Sequence, residues 1–259
     1  MGQLRDHIIN QISSSPLITD PFGHKFIENI FPKNYYQNLL SHLPSKSHYI
    51  SIKKTGSVPS DYSPERYIFN LLDKEHMDKL NQEKKSFFSE LINILLSKEL
   101  FLSVTSNFSQ IIDNRLNNLS ELEKQKLGTK NFNFSIRTAL VKDYTKYNLG
   151  VHTDTVGKLM SFLFYIPEND TLSNIGTSLY KSVSKINSDT KQDLVEDQHF
   201  TKDQTKKNFK KIKTCPFIPN SLFLFPRTRL SFHGVEEVNI DQKERNLLLL
   251  NYFINKGNK

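Results

Sequence analysis

The sequence contains one cysteine, no tryptophan and no long apolar run. The single thiol, Cys215, excludes an internal disulfide and any zinc or iron–sulfur site that is held by several thiolates. A membrane-spanning helix needs about 20 consecutive apolar residues, and no segment approaches that length. The N-terminal segment also lacks the apolar core of a signal peptide, which predicts a cytoplasmic protein. Because 37% of the residues are hydrophobic and 19 are Phe, the composition is nevertheless typical of a folded globular protein.

Acidic residues are fewer than basic ones, 27 against 35, so the formal net charge is +8. Residues 181–213 contain nine Lys and five Asp or Glu, which is four of these eight excess charges. A segment of such mixed charge is typical of a solvated surface, whereas a nucleic-acid groove collects basic side chains among aromatic ones. The composition therefore favours a protein without a nucleic-acid or membrane partner.

Several motifs that mark common enzyme classes are absent from the sequence. No Gly-x-Gly-x-x-Gly, His-Glu-x-x-His or Gly-x-Ser-x-Gly sequence occurs. Six residues separate Gly150 from Gly157, where a phosphate-binding loop has four, and Leu159 replaces the Ser or Thr that such a loop requires. These absences remove the nucleotide-binding, zinc-protease and serine-hydrolase classes that carry those motifs.

Residues 1–130 are predicted to be mainly helical. A short strand is expected within residues 22–31, and a helix follows that begins near Pro32, a residue favoured at helix starts. Residues 44–66 contain Pro, Gly and Ser and predict a loop. The amphipathic patterns that predict further helices lie in residues 73–102 and 108–128. The last of these helices is expected to end at Gly128.

The pattern changes in residues 131–259. Phe132, Phe134 and Ile136 alternate with other residues, which is the period of a half-buried strand. Three later apolar runs also have the length of strands: KLMSFLFYIP, SLFLFP and RNLLLLNYFI. Since no helical pattern separates them, the segment predicts an antiparallel jelly roll or sandwich and not a parallel sheet. We expect one α+β domain, with the helices packed on the β core and a polar insertion at residues 181–213.

Residues 150–158, GVHTDTVGK, place a histidine and an aspartate two positions apart. On an extended backbone such side chains point the same way, so His152 and Asp154 would lie on one face. The pair alone is compatible with a metal site, a catalytic pair or a simple turn. A second histidine, His233, follows the run SLFLFP and precedes Gly234, which permits a close backbone approach. Two histidines and one carboxylate are common ligands of a ferrous ion that reacts with oxygen.

Arg245 lies 12 positions after His233 and begins the run RNLLLLNYFI. An arginine at the start of an apolar strand needs an anionic partner if its side chain faces inward. Its guanidinium could bind the carboxylate of a ligand through two hydrogen bonds. The alternative for Arg245 is a surface position, paired with Glu236 or Glu237. The alternative for His233 is a core histidine without a ligand.

The order of these residues resembles that of the Fe(II)- and 2-oxoglutarate-dependent oxygenases, over roughly residues 132–254. The matching elements are His-x-Asp, a distal His-Gly-Val and an Arg that opens the last core strand. The segment FIENIFPKNYYQNLLSHLP also resembles the first helix of bacterial members, and the branch it resembles is the prolyl-hydroxylase-like one. The resemblance implies a double-stranded β-helix, which is a cupin-like jelly roll. It further implies that His152, Asp154 and His233 are catalytic and bind Fe(II), and that Arg245 binds the far carboxylate of 2-oxoglutarate.

The activity implied by this resemblance is O₂-dependent hydroxylation of an unactivated C–H bond, with release of succinate and CO₂. The sequence leaves the substrate open between a small molecule and a protein side chain. Residues 44–66 and 181–213 are the loops in which we expect substrate contacts. Two alternative functions stay open: nucleic-acid dealkylation by the same iron chemistry, and a jelly-roll module that binds a metal or ligand without turnover.

The sequence departs from the family at the second residue that binds 2-oxoglutarate. Some branches place a Ser two residues after the arginine, where this chain has Leu247. Tyr144, Tyr147 and Arg137 are the candidates to replace that residue, although tyrosines are common in cores and Arg137 is as readily explained as structural. Arg227 precedes the distal histidine, and no role for it follows from the sequence.

Overall fold

Two antiparallel β-sheets face each other, and helices cover the outer side of the larger sheet. The computed structural model describes residues 2–56, 58, 62–183, 200, 202–239 and 244–257. Within these ranges the layers are a set of helices, a seven-stranded sheet and a four-stranded sheet. No helix in the described part of the chain is long and apolar enough to cross a membrane.

Most of the described helices come from the first half of the chain. In chain order they are α1 (Gly2–Ser14), α2 (Lys33–His42), α3 (Lys74–Met77), α4 (Gln82–Leu95), α5 (Lys98–Asn107), α6 (Ser109–Asn117), α7 (Glu121–Leu127) and α8 (Lys202–Asn208). Helix α7 begins with a complete capping box, in which Ser120 and Glu123 each accept a hydrogen bond from the other's backbone N–H.

The strands come mostly from the second half. In chain order they are β1 (Lys25–Glu28), β2 (Ile50–Ser51), β3 (Arg66–Asn70), β4 (Asn133–Asp143), β5 (Leu149–His152), β6 (Lys158–Tyr165), β7 (Thr177–Ser182), β8 (Phe209–Cys215), β9 (Ser221–Pro226), β10 (His233–Val235) and β11 (Arg245–Asn255).

The order of the strands is that of a jelly roll. The larger sheet has the order β1-β9-β6-β11-β4-β3-β2, and the smaller sheet has the order β5-β10-β7-β8. The eight strands from β4 to β11 are thus divided between the two sheets as in a pair of Greek keys. This confirms the predicted α+β jelly roll with helices packed on it. Strands β1, β2 and β3, from the N-terminal half, extend the larger sheet at its two edges.

The larger sheet is buried on both faces, which explains the unbroken apolar run at residues 247–250 of its central strand. Leu248 and Leu250 of β11 face the helices, in a core that also contains residues of α1, α4 and α5. Leu247, which precedes them and points to the opposite face of the strand, packs in the space between the two sheets with Tyr165 and Phe217. We call this second region the inter-sheet space.

Most of the strands and helices predicted from long sequence patterns are present. The four predicted strands of the β core correspond to β4, β6, β9 and β11, and the short strand expected within residues 22–31 is β1. Pro32 is the N-cap of α2, and Gly128 follows α7. The pattern at residues 108–128 is two helices and not one, because Ser120 caps a new helix. The sequence does not predict α1, β2 or β3.

The predicted polar insertion at residues 181–213 is wrong at both ends. Lys181 and Ser182 belong to β7, and residues 202–213 contain α8 and most of β8. Strand β8 is an edge strand of the smaller sheet, where exposed lysines oppose pairing with another chain. Its polar sequence, FKKIKTC, therefore has a structural reason. Residues 184–199 and 201 lie outside the described part of the chain.

Candidate metal centre

His152 and His233 face each other across two neighbouring strands of the smaller sheet. Strands β5 and β10 are antiparallel, and these two residues lie directly opposite each other in the register. The centroids of their rings are 4.3 Å apart, and both residues are buried. The sheet therefore brings together the two histidines that the sequence analysis selected.

The backbone fixes the orientation of both imidazoles. Nδ1 of His152 is 2.9 Å from the carbonyl oxygen of Gly150, and Nδ1 of His233 is 3.0 Å from that of Ser231. Because a carbonyl oxygen can only accept a hydrogen bond, each Nδ1 carries the proton and donates it. The lone pair of the neutral ring is then on Nε2, which is the state in which histidine binds a metal ion.

Asp154 joins the two histidines from the connection between β5 and β6. One candidate ligand atom from each of His152, Asp154 and His233 lies within 4.8 Å of the others. Oδ1 of Asp154 accepts a hydrogen bond from Nζ of Lys158 at 2.7 Å, and Oδ2 accepts one from Oγ of Ser161 at 2.5 Å. Burial alone would raise the pKa of this carboxyl group, but the charge and the hydrogen bond of the Lys158 ammonium group hold the pKa below its usual range. Asp154 is therefore ionised at neutral pH.

Gly234 allows β10 to approach β5 beside the histidines. A Cβ atom at this position would lie 2.8 Å from the carbonyl oxygen of Leu149 and 3.1 Å from that of Gly150. These are backbone atoms of a paired strand, so they cannot move aside as a flexible side chain can. The close backbone approach predicted at Gly234 is confirmed.

Two arginines bind the connection that carries Asp154. Arg227 donates from Nε to the carbonyl oxygen of Asp154 at 3.1 Å, and from NH1 to Oε1 of Glu123 at 2.6 Å. Arg115 of α6 donates to the carbonyl oxygen of Val156 in the same connection at 2.5 Å and to that of Lys158, the first residue of β6, at 2.6 Å. Arg227, to which the sequence assigned no role, therefore links the metal centre to the N-terminal helices.

Arg245 places its guanidinium in the inter-sheet space, where it is completely buried. Nε donates to the carbonyl oxygen of Ile175 at 2.9 Å, and NH1 donates to Oδ2 of Asp143 at 2.7 Å. The guanidinium carbon lies 4.8 Å from the ring centroid of Phe217. NH2 has no hydrogen-bond partner among the described residues. A buried donor without an acceptor is rare, and it marks a position where a ligand oxygen can bind.

Asp143 is shared by two arginines. Its partners in the register are Arg245 on one side and Arg66 on the other. Arg66 donates to both carboxylate oxygens, from Nε at 2.6 Å and from NH2 at 2.8 Å. Two guanidinium groups and one carboxylate leave a net charge of about +1 in the interior. The alternative pairing of Arg245 with Glu236 or Glu237 is therefore wrong.

The two tyrosine candidates have other partners than Arg245. The ring of Tyr147 lies under the guanidinium of Arg66, 4.3 Å from its centroid, and the hydroxyl groups of Tyr147 and Tyr62 are 3.1 Å apart. The hydroxyl of Tyr144 donates to Glu244 at 3.2 Å. Tyr147 is thus linked to Asp143 through Arg66. Tyr144 is instead hydrogen-bonded to Glu244, outside this group.

The structure places Arg137 far from Arg245. Its register partner on β11 is Asn251, and its guanidinium lies 4.6 Å from the ring centroid of Phe253. Phe253 is eight residues beyond Arg245 on the same strand, a distance of about 26 Å. Arg137 and Arg245 therefore cannot bind the same small carboxylate. Arg137 lies instead in the same row of the sheet as Ser161, near the metal centre.

Tyr165 is a site residue that the sequence analysis missed. It is completely buried on β6, and its ring centroid is 5.6 Å from the guanidinium carbon of Arg245. Its hydroxyl donates to Oγ1 of Thr177 at 2.7 Å and accepts from the backbone N–H of the same residue at 3.2 Å. The feature of the run FLFY that indicates such a role is the tyrosine hydroxyl, because a buried Tyr needs a polar partner.

The metal centre and the Arg245 region lie along one face of β6. Ser161 bonds to Asp154, and Tyr165 lies beside Arg245; both point into the inter-sheet space. Four residues of strand separate them, which is about 13 Å. A group of potential metal ligands and a buried cation are therefore spaced along one inner surface of the jelly roll.

Comparisons with known proteins add the following. No protein-family model matches the sequence, and no protein with a curated description matches it. Among solved structures, a prolyl-4-hydroxylase from Pseudomonas putida is similar at 8% identity and a TM-score of 0.48, over 97% of this chain and 99% of that one. An oxidoreductase of the 2OG-Fe(II) oxygenase family from Burkholderia pseudomallei is similar at 11% identity and a TM-score of 0.48, over 98% and 93%. A prolyl 4-hydroxylase from Phytophthora capsici is similar at 14% identity and a TM-score of 0.47, over 97% and 65%. At such values a likeness concerns the arrangement of the chain, and the chemistry of this site rests on its own side chains.

Proposed function

We propose that the protein is an Fe(II)- and 2-oxoglutarate-dependent dioxygenase that hydroxylates an unactivated C–H bond and releases succinate and CO₂. The observation that carries this proposal is the buried group of His152, Asp154 and His233, whose ligand atoms lie within 4.8 Å of one another. Two neutral imidazoles and one carboxylate suit Fe(II), and three protein ligands leave positions for other molecules.

The side chains of the site are already oriented for this role. Each imidazole donates from Nδ1 to a backbone carbonyl, so Nε2 is the nitrogen that would bind the ion. Asp154 is fixed by Ser161 and Lys158. Phe225 packs edge-on against His233, with the ring centroids 4.7 Å apart, which keeps water from that side.

Arg245 and Tyr165 fit the far carboxylate of 2-oxoglutarate. NH2 of Arg245 is a buried donor without a partner among the described residues, and the ring centroid of Tyr165 lies 5.6 Å from the same guanidinium. An uncompensated buried charge is costly, so a bound carboxylate would neutralise the net positive charge of Arg66, Asp143 and Arg245. We propose Tyr165 as the second residue at this end, its hydroxyl turning from Oγ1 of Thr177 to the bound carboxylate, because Leu247 cannot contribute a hydroxyl.

The charges at the two ends match a dicarboxylate. A divalent ion with the Asp154 carboxylate and the Lys158 ammonium group has a net charge of about +2, and the group around Asp143 has about +1, so both ends are positive. 2-Oxoglutarate carries one carboxylate for each of these positions. When bound, Fe(II) and 2-oxoglutarate would supply the activation of O₂, while the chain orients the reactants and excludes water.

Anaerobic addition of Fe(II) and 2-oxoglutarate tests the proposal directly. The parent protein should develop the visible charge-transfer band of the metal–keto acid chelate. Asp154→Ala should lack the band, and Arg245→Ala should need a much higher 2-oxoglutarate concentration to reach it. A parent protein without the band would contradict the proposal and favour a jelly-roll module that binds some other ligand.

Turnover separates an enzyme from a binding module. His152→Ala, Asp154→Ala and His233→Ala should each abolish succinate formation while the circular dichroism spectrum stays that of the parent. Succinate formation retained in all three variants would overturn the assignment of the ligands.

The substrate, proposed to be a small molecule or a protein side chain, stays a prediction, as do the prolyl-hydroxylase-like branch, the single domain and the cytoplasmic location. Nucleic-acid dealkylation is the alternative that salt-sensitive DNA or RNA binding would favour.

A further inference from the structure

The connection between β5 and β6 crosses from the smaller sheet to the larger one and carries Asp154 across. Where the chain leaves the regular ladder of a sheet, its buried carbonyls need other donors. Two arginines supply them, because the carbonyls of Asp154, Val156 and Lys158 all accept hydrogen bonds from guanidinium groups. The path of this connection is therefore set by side chains that come from elsewhere in the chain.

Arg115 contributes two of these three hydrogen bonds. From α6, its NH2 donates to the carbonyl oxygen of Val156 at 2.5 Å and its NH1 to that of Lys158 at 2.6 Å. The fork of the guanidinium thus spans two carbonyls that lie two residues apart. Its side chain is 6% exposed, so water does not replace these contacts.

Arg227 contributes the third hydrogen bond, and Glu123 fixes it in place. Nε of Arg227 donates to the carbonyl oxygen of Asp154, and NH1 donates to Oε1 of Glu123 at 2.6 Å. Oε2 of the same carboxylate accepts from Arg229 at 2.7 Å and from the backbone N–H of Ser120 at 3.0 Å. Glu123 is 1% exposed and belongs to the capping box of α7. The N-terminus of α7 and the backbone carbonyl of Asp154 are therefore connected through one cluster of ion pairs.

We propose that Arg115 and Arg227 are positioning residues for the metal ion, with Glu123 holding Arg227 in place. This inference rests on the metal site proposed above and extends it to helices α6 and α7. Toward the connection, the hydrogen bonds of Arg115 and Arg227 go to backbone carbonyls. Each acts through the backbone of the connection, which sets the distance from the Asp154 carboxylate to His152 and His233. Loss of either guanidinium would leave backbone carbonyls unpaired and let the connection relax. The Asp154 carboxylate would then lie less often within metal-binding distance of His152 and His233.

Titration of the metal-free full chain with Co(II), followed by visible absorption, tests this proposal without turnover. A lysine has a single ammonium group, so Arg115→Lys and Arg227→Lys keep the charge but lose the fork that reaches two acceptors. Both variants should bind Co(II) about 10–100-fold more weakly than the parent, as is usual when groups behind metal ligands are removed. The intensity of the Co(II) absorption should also change, because it reports the coordination geometry.

Arg229→Lys is the matched control. Arg229 contacts Glu123 and the carbonyl oxygen of Asn118 but makes no contact with the carbonyls of Asp154, Val156 or Lys158. This variant should therefore bind Co(II) within about twofold of the parent, since its donors lie outside the connection. If Arg229→Lys weakens binding as much as the other two variants, the effect is a general loosening of the cluster and the proposal is wrong.

Thermal unfolding with and without Co(II) separates positioning from stability. The rise in Tm on adding Co(II) should be smaller in Arg115→Lys and Arg227→Lys than in the parent and in Arg229→Lys. If Arg227→Lys does not fold, Arg115→Lys decides the question alone. Variants that bind Co(II) as tightly as the parent overturn this inference and leave the proposed function intact. A parent that does not bind Co(II) overturns both.

Discussion

Asp143 and Arg245 lie opposite each other on β4 and β11, joined by a 2.7 Å hydrogen bond, and Arg66 binds the same carboxylate from the other side. Replacement of Asp143 by Asn should leave two buried guanidinium groups without a counter-charge. We expect the free energy of unfolding to fall by about 3–5 kcal/mol, measured by urea denaturation. Glu236→Gln, which removes an exposed ion pair with Lys211, is the control and should cost less than about 1 kcal/mol. Equal losses in the two variants would contradict this account.

Tyr165→Phe should weaken 2-oxoglutarate binding about tenfold and leave Co(II) binding unchanged, because the loss of one buried hydrogen bond is worth about 1.4 kcal/mol. Isothermal titration calorimetry measures the Co(II) constant on the metal-free protein and the 2-oxoglutarate constant on the Co(II)-loaded protein. Tyr36→Phe is a matched control, since its hydroxyl is also buried but donates to the carbonyl oxygen of Pro167. The prediction fails if Tyr36→Phe and Tyr165→Phe lower the 2-oxoglutarate affinity equally.

Arg137→Ala should bind 2-oxoglutarate as the parent does, because Arg137 lies against Phe253 at the opposite end of β11 from Arg245. Arg245→Ala should lose about 100-fold or more in the same titration, since charge-assisted hydrogen bonds to a carboxylate are strong. The same measurement on both variants decides between the two arginines. A large loss of affinity in Arg137→Ala would show that the cosubstrate extends along the sheet in a different direction.

Glu123 gives a prediction about pH. Burial favours its neutral form, but hydrogen bonds from Ser120 and Arg229 and the charge of Arg227 lower its pKa to about 2. Because the folded pKa lies below the unfolded one, the carboxylate stabilises the fold above about pH 4.5, and this contribution is lost as the pH falls toward about 2. The contribution is on the order of 3 kcal/mol.

Urea denaturation of the parent and of Glu123→Gln over a series of pH values measures this contribution. The glutamine does not titrate, so the difference in unfolding free energy should be constant above about pH 5 and should narrow below about pH 4.5. An equal difference at pH values near 3 and near 6 would show that the native carboxyl group has an ordinary pKa.

The parts of the fold that the sequence predicted are those with long, regular patterns. Strand β11 contains 11 residues, and its apolar run is evident because both of its faces are buried. Strands β5 and β10 have four and three residues, too few to show a period. The exposed lysines of β8 hide the alternation of an edge strand, so the sequence predicts a polar insertion there.

The candidate site was predictable to the extent that each residue occupies a marked position in the sequence. His152 lies two residues after Gly150 and ends β5, His233 directly precedes Gly234, and Arg245 opens an apolar run. Asp143 and Tyr165 carried no such mark, since an acidic residue at a strand end and a tyrosine in an apolar strand are both common. Their roles follow from register across strands that are distant in sequence, and a single sequence does not contain that information.

The connection bound by Arg115 also bears on how the molecule could be divided. A fragment that begins at residue 131 would retain every residue proposed to bind iron and 2-oxoglutarate. It would nevertheless lose both donors to Val156 and Lys158, and it would expose the backbone edges of β4 and β9 that β3 and β1 cover. The first half of the chain is therefore a necessary part of the structure, because the jelly roll is incomplete without it. Substitutions in helices remote from any substrate could change the affinity for the metal. The helices and the β core of this chain would therefore evolve together, and neither could be exchanged without the other.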